Sequence, residues 1–186
     1  MQTKQTLNNS KGITYKLLAV IGLLLFILVV FWTIADEIVL EHESRFDTFI
    51  FQKLAFLTSP FTTGVMKAFT FFGSDIFLLP AYVLLVVYFL FLKKNRKISL
   101  DIVAIGLTST AFLFLIKDIF KRQRPLDPLI KNVTGFSFPS GHSFSAFTFF
   151  GLIIYLLWQT EMKKSLKYVL STAFMLFAAC IAFSRV

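Results

Sequence analysis

Three basic residues, Lys117, Lys121 and Arg124, stand at i, i+4 and i+7 behind an apolar run and directly ahead of Pro125. If the run continues as a helix past Ile116, that spacing sets them on one stripe at its end, where Pro125 then stops the helix. Cations in a row suit an anion with several oxygens. Further along comes Phe138-Pro139-Ser140-Gly141-His142-Ser143, immediately before another apolar run. Ser140 is placed to N-cap that helix, with Gly141 and His142 in its first turn. The backbone N–H groups and positive dipole end of such a terminus attract anions. His142 adds a group that exchanges a proton near neutral pH. Simpler readings stand beside these: the basic cluster as a lipid-headgroup anchor, and Ser140 as a cap beside a histidine that merely faces the interface. Arg122 points away from the stripe and suits headgroups by snorkelling. A serine-hydrolase elbow does not fit, because Gly141-His142-Ser143-Phe144-Ser145 lacks the final glycine and follows no strand.

The elements that would carry these groups follow from composition. Of 186 residues, 56% are hydrophobic and 16% charged, and a mean hydropathy of +0.75 is too high for a water-soluble domain. The length suits one domain, most of it facing lipid. The 25 Phe exclude disorder, and Cys180, the sole cysteine, excludes a disulfide scaffold. A charge-free run from Leu17 to Ala35 is long enough to span a bilayer. It is also longer than a signal peptide's apolar core of about 7–15 residues. Further charge-free runs go from Ile76 to Leu92, Ile102 to Ile116, Ser143 to Gln159 and Tyr168 to Ser184. The expected fold is therefore all-α, a polytopic transmembrane bundle with five spans. Phe46 to Phe72 is broken by Lys53, Pro60 and Lys67, and reads as interfacial or re-entrant helices.

The formal charge of +9 raises nucleic acid as a partner, but in a membrane protein Lys and Arg first set topology. With five spans, Lys4, Lys11, Lys16, Lys93, Lys94, Arg96, Lys97, Lys163, Lys164 and Lys167 all fall on one side, the cytoplasmic one. The expected plan is a cytoplasmic tail, residues 1–16, and one transmembrane domain, residues 17–186. The segment from Lys117 to His142 falls on the outer face, where the rule disfavours its basic residues. A basic cluster in a disfavoured place points to an anion site.

Together these segments resemble the type 2 phosphatidic acid phosphatase (PAP2) family of membrane lipid phosphatases. The family's first motif, Lys, six residues, Arg-Pro, is matched by Lys117 through Arg124-Pro125; its second by Pro139-Ser140-Gly141-His142; and Ser184-Arg185 opens its third. The resemblance runs from about Phe46 onward. It implies that Lys117, Arg124 and Arg185 clamp phosphate oxygens, and that Ser140 and the Gly141 N–H complete the cradle. It makes His142 the general acid for the leaving lipid oxygen. It implies no metal and no cofactor, a lipid phosphate and the bilayer as partners, and no nucleic acid. The lipid would be undecaprenyl pyrophosphate, phosphatidylglycerol phosphate, phosphatidic acid or diacylglycerol pyrophosphate.

In the family, the third motif continues through five residues to a nucleophilic histidine, and through three more to an aspartate that orients it. Here the sequence stops at Val186, so the nucleophilic histidine is absent, as is a sixth span. The expectation is a C-terminally incomplete piece of a longer enzyme, inactive as it stands. His42, flanked by Glu41 and Glu43, is a poor substitute, because acidic neighbours oppose an approaching phosphate. Two other classes compete: a non-catalytic membrane binder of lipid phosphates, and a vanadate-dependent haloperoxidase, against which the spans argue.

Overall fold

The computed structural model describes residues 15, 17–33, 53, 56, 59–122 and 135–185. The described elements are helical, with no strand among them. The chain divides into two units, residues 1–49 and 50–186. In the first, α1 is described from Leu17 to Thr33; the end of the expected span, at Ala35, lies outside the described residues. Its 17 residues reach about 26 Å. Its large apolar side chains are exposed all round, as lipid-facing ones are.

The second unit holds α2 (Pro60–Phe72), α3 (Asp75–Val87, continued by a π-helical turn Tyr88–Leu92), α4 (Arg96–Phe120), α5 (Gly141–Trp158) and α6 (Lys164–Phe183). Four stretches are long and apolar enough to cross a membrane: Pro60–Leu92, Arg96–Phe120, Gly141–Trp158 and Lys164–Phe183. The first is divided at Gly73-Ser74, so α3 and its π turn form the spanning piece. The charge-free run from Ile102 to Ile116 becomes a helix of 25 residues, about 37 Å, because basic residues at both ends extend it beyond the hydrocarbon.

The segment read as interfacial or re-entrant is, from Ser59 on, the 13-residue helix α2, about 20 Å long and too short to span alone. Ser59 caps it in a reciprocal box with Thr62, and Pro60 occupies the first turn, where a missing N–H costs nothing. Phe69 and Phe72 pack on Phe177 of α6 with ring centroids 5.5 and 5.3 Å apart.

Lipid gives helices no hydrophobic drive to associate, so close packing must hold the bundle. At its centre Ala146 of α5 and Ala178 of α6 are almost wholly buried, and their small side chains let the two helices approach. Leu78, Phe149, Phe150 and Ile181 fill the space around them. Phe150 meets Phe177 edge to face at 5.2 Å. A second cluster joins Ile102 of α4 to Leu152 and Leu156 of α5, with Tyr82 and Leu85 of α3 reaching both clusters.

At the α5–α6 connection, Lys167 is 9% exposed and donates to the carbonyls of Trp158 at 3.1 Å and Thr160 at 2.6 Å. Its ammonium also lies 5.8 Å from the centre of the Trp158 ring. A residue counted with the topological charges thus caps the C-terminus of α5, where carbonyls lack helical partners and the dipole favours a cation. Lys167→Met should destabilise the bundle by about 1.5–3 kcal/mol, the worth of hydrogen bonds from a charged donor. Unfolding in detergent measures it, with Lys164→Met, on an exposed residue, as the near-neutral control.

Candidate active site

α4, α5 and α6 run alternately up and down, so the C-termini of α4 and α6 meet the N-terminus of α5 at one end. The basic stripe is shorter than its spacing suggests. α4 stops at Phe120, with Lys121 as a left-handed cap at φ 45° whose N–H returns to the Lys117 carbonyl at 2.9 Å. The helix therefore ends before Pro125 can stop it. Lys121 leaves the stripe and pairs instead with Asp118 at 3.6 Å, both side chains well exposed. A surface pair of this kind adds little stability. Arg124 and Pro125 lie outside the described residues, as does His42.

Lys117 sits half-buried in the last turn of α4, and its Nζ donates to the Phe136 carbonyl at 2.8 Å. The returning connector is laid against the same helix end by further contacts. The N–H and hydroxyl of Ser137 both donate to the Arg122 carbonyl, at 2.8 and 3.1 Å. The rings of Phe120 and Phe138 meet edge to face at 5.4 Å. Arg122 thus contributes a carbonyl anchor, a role that the snorkelling expected of its side chain did not suggest. A groove of about 410 Å³ opens here, lined by Phe114, Lys117, Asp118, Gly135 and Phe136. It joins the exposed, lipid-facing Phe114 to the Lys117 amine.

The expected cap forms. Ser140 precedes α5, and its Oγ accepts from the Ser143 N–H at 3.4 Å and from the Ser143 hydroxyl at 3.0 Å. With both Ser143 groups donating, the proton of Ser140 is left to be directed at an acceptor outside the helix. The N–H groups of Gly141 and His142 begin the helix, where no carbonyl of the same helix precedes them. His142 is half-buried, and the α2–α3 turn packs at its flank. A Cβ on Gly73 would lie 3.3 Å from the His142 carbonyl oxygen, 3.4 Å from its Cβ and 2.5 Å from Ile181 Cγ2, so only glycine fits.

Ser184 and Arg185 follow the last turn of α6, one turn beyond Ile181. The Ser184 hydroxyl donates to the Ile181 carbonyl at 2.7 Å and lies 2.9 Å from Thr70 Oγ1 of α2. Arg185 is half-buried, and its N–H returns to the Ala182 carbonyl at 3.1 Å. Lys117, Ser140, Gly141, His142 and Arg185 therefore share one end of the bundle. Thr70 and Gly73, which no motif in the sequence includes, support that end, as does Ser143, which follows the second motif. The Gly73-Ser74 turn is not singled out in the sequence, where nothing local shows what it touches. Among the described residues, no three His, Cys, Asp or Glu side chains gather as metal ligands would.

Cations, hydroxyls and the first-turn amides of a helix gathered at one end of the bundle can hold a tetrahedral oxyanion, with His142 beside it to move a proton. Comparison with known proteins finds that residues 98–186 match the PAP2 superfamily. A crystal structure of a transmembrane PAP2-type phosphatidylglycerolphosphate phosphatase from Bacillus subtilis is similar in fold. Its TM-score is 0.71 at 24% identity, over 85% of this chain and 79% of that one. No curated protein sequence matches the chain.

Proposed function

We propose that this multi-pass membrane protein, whose residues 98–186 match the PAP2 superfamily, is a member of that family and a lipid phosphate phosphatase. The observation that carries the reading is the gathering of Lys117, the Ser140–His142 cap and Arg185 at one end of the bundle. Lys117, Arg124 and Arg185 hold the phosphate oxygens, Arg through its forked donors and Lys as a compact charge. The Ser140 hydroxyl and the Gly141 N–H donate to the same oxygens. They meet charge that builds on the phosphoryl group during displacement, where preorganised donors lower the barrier most. His142 gives its proton to the departing lipid oxygen, which would otherwise leave as a poor alkoxide.

The covalent step is a phosphohistidine formed by the histidine that the family places five residues after Ser-Arg. Its position falls beyond Val186. Fixed cations supply the charge neutralisation that a divalent metal supplies in other phosphoryl transfers, so turnover is metal-independent. By the positive-inside distribution, the N-terminus is cytoplasmic and the site faces outward in the cell membrane. There the lipid is undecaprenyl pyrophosphate, phosphatidylglycerol phosphate or phosphatidic acid. The groove from Phe114 to Lys117 supports access from the lipid side.

The test is phosphate release from these three lipids and diacylglycerol pyrophosphate, in chelator and without magnesium. The product of the whole reading frame is assayed beside the 186-residue chain. We expect the former to turn over at least one lipid with no loss in chelator, and the latter to bind phosphate without releasing any. Binding without turnover by both would favour a non-catalytic lipid-phosphate binder. Strict magnesium dependence would sink the metal-independent mechanism.

A further inference from the structure

α2 lies outside residues 98–186 and is too short to cross a bilayer, yet its last turn reaches two of the chain segments that make the site. Thr70 Oγ1 lies 2.9 Å from Ser184 Oγ, a contact across 114 positions. Ser184 has one hydroxyl proton and gives it to the Ile181 carbonyl at 2.7 Å. The Thr70 hydroxyl is therefore the donor to Ser184. Three residues on, Gly73 is pressed against Ile181 and the backbone of His142. Phe69 and Phe72, on either side of Thr70, hold the turn in place on Phe177.

We propose that the last turn of α2 is a brace for the phosphate cradle, and that Thr70 is a positioning residue acting through Ser184 on Arg185. This rests on the phosphate-site reading above. The final turn of a helix has carbonyls without helical partners and frays most readily. Arg185 stands on such a turn, and a guanidinium slightly out of place loses the paired geometry that makes it a good phosphate ligand. A hydroxyl bond from a neighbouring helix fixes the turn, and does so where the partly dry surroundings strengthen a hydrogen bond. Thr70 bonds to Ser184 and is no member of the proposed clamp. Its influence on the anion has to pass through Arg185.

The probe is orthovanadate, a tetrahedral phosphate mimic, titrated calorimetrically into the detergent-solubilised protein. The variants are Thr70→Val, which keeps the shape and removes the donor, Thr70→Ser, which restores it, Arg185→Gln, and Thr70→Val with Arg185→Gln. We expect Thr70→Val to weaken vanadate binding about 3- to 10-fold, the worth of one part-buried hydrogen bond, and Thr70→Ser to bind like the wild type. In the Arg185→Gln background, Thr70→Val should cost no further affinity while lowering the melting temperature as much as before. A merely structural threonine would move stability alike in both backgrounds and leave affinity untouched in each. Wild-type protein that fails to bind vanadate would overturn the phosphate-site reading itself. Wild-type binding unchanged by Thr70→Val, or an equal loss with and without Arg185, would overturn the brace alone.

Discussion

Replacing His142 with alanine should lower lipid-phosphate turnover by about 10²- to 10⁴-fold, the usual contribution of a positioned general acid. Vanadate affinity should stay within roughly threefold, because an interaction used only as the bond breaks leaves ground-state binding intact. The geometry favours this split. His142 stands in the first turn of α5, and its backbone is backed by Gly73, so removing the imidazole leaves the Ser140 cap and the Gly141 N–H where they are. Single-turnover phosphate release beside vanadate titration separates the two quantities. If affinity fell as far as turnover, His142 would be a phosphate ligand and not an acid.

Lys117→Met should cost about 10²- to 10³-fold in kcat/KM, comparable to removing one preorganised donor from a charge-stabilising site. Here KM should rise as kcat falls, since the ammonium holds the phosphate before and during displacement. A second loss accompanies it. The Lys117 amine also holds the Phe136 carbonyl at 2.8 Å, so the returning connector loses one of its ties to α4. Thermal unfolding of the same variant measures that part, about 1.5–3 kcal/mol for a charge-assisted hydrogen bond. Lys117→Arg should keep the charge and recover part of both, whereas an unchanged kcat/KM in Lys117→Met would remove Lys117 from the clamp.

Much of the bundle is legible in the sequence because lipid imposes a simple rule. Charge-free runs must be helices of a certain length, and α3, α5 and α6 lie where such runs predict. The Ser140 cap is legible for a similar reason: a serine, a glycine and an apolar run in order leave few other conformations. The end of α4 is different. Pro125 is a strong stop signal, yet the helix has already closed at Lys121, a non-glycine residue in the left-handed region, which no local pattern marks. The fate of Lys121 follows, since a residue beyond the helix cannot stay on its stripe. Lys167 shows the same limit from the other side. Its charge is visible in the sequence, but the carbonyls it caps come into reach only when the α5–α6 connection folds back. Contacts such as Thr70 with Ser184 depend on the tertiary fold alone, and no spacing rule reaches across them.

The buried glycine at the α2–α3 turn has a consequence for where the working unit begins. The PAP2 family match starts at residue 98, so a protein cut there would keep nearly all of α4 and the whole of α5 and α6, with every residue of the three motifs that the sequence contains. It would lack Gly73 and Thr70, leaving the flank of His142 and the last turn of α6 open to lipid or water. On the proposed brace, the segment the site relies on begins at least two helices ahead of the family match. Anyone transplanting this site into another scaffold would need to carry the earlier segment with it, although that segment contributes no group to the chemistry.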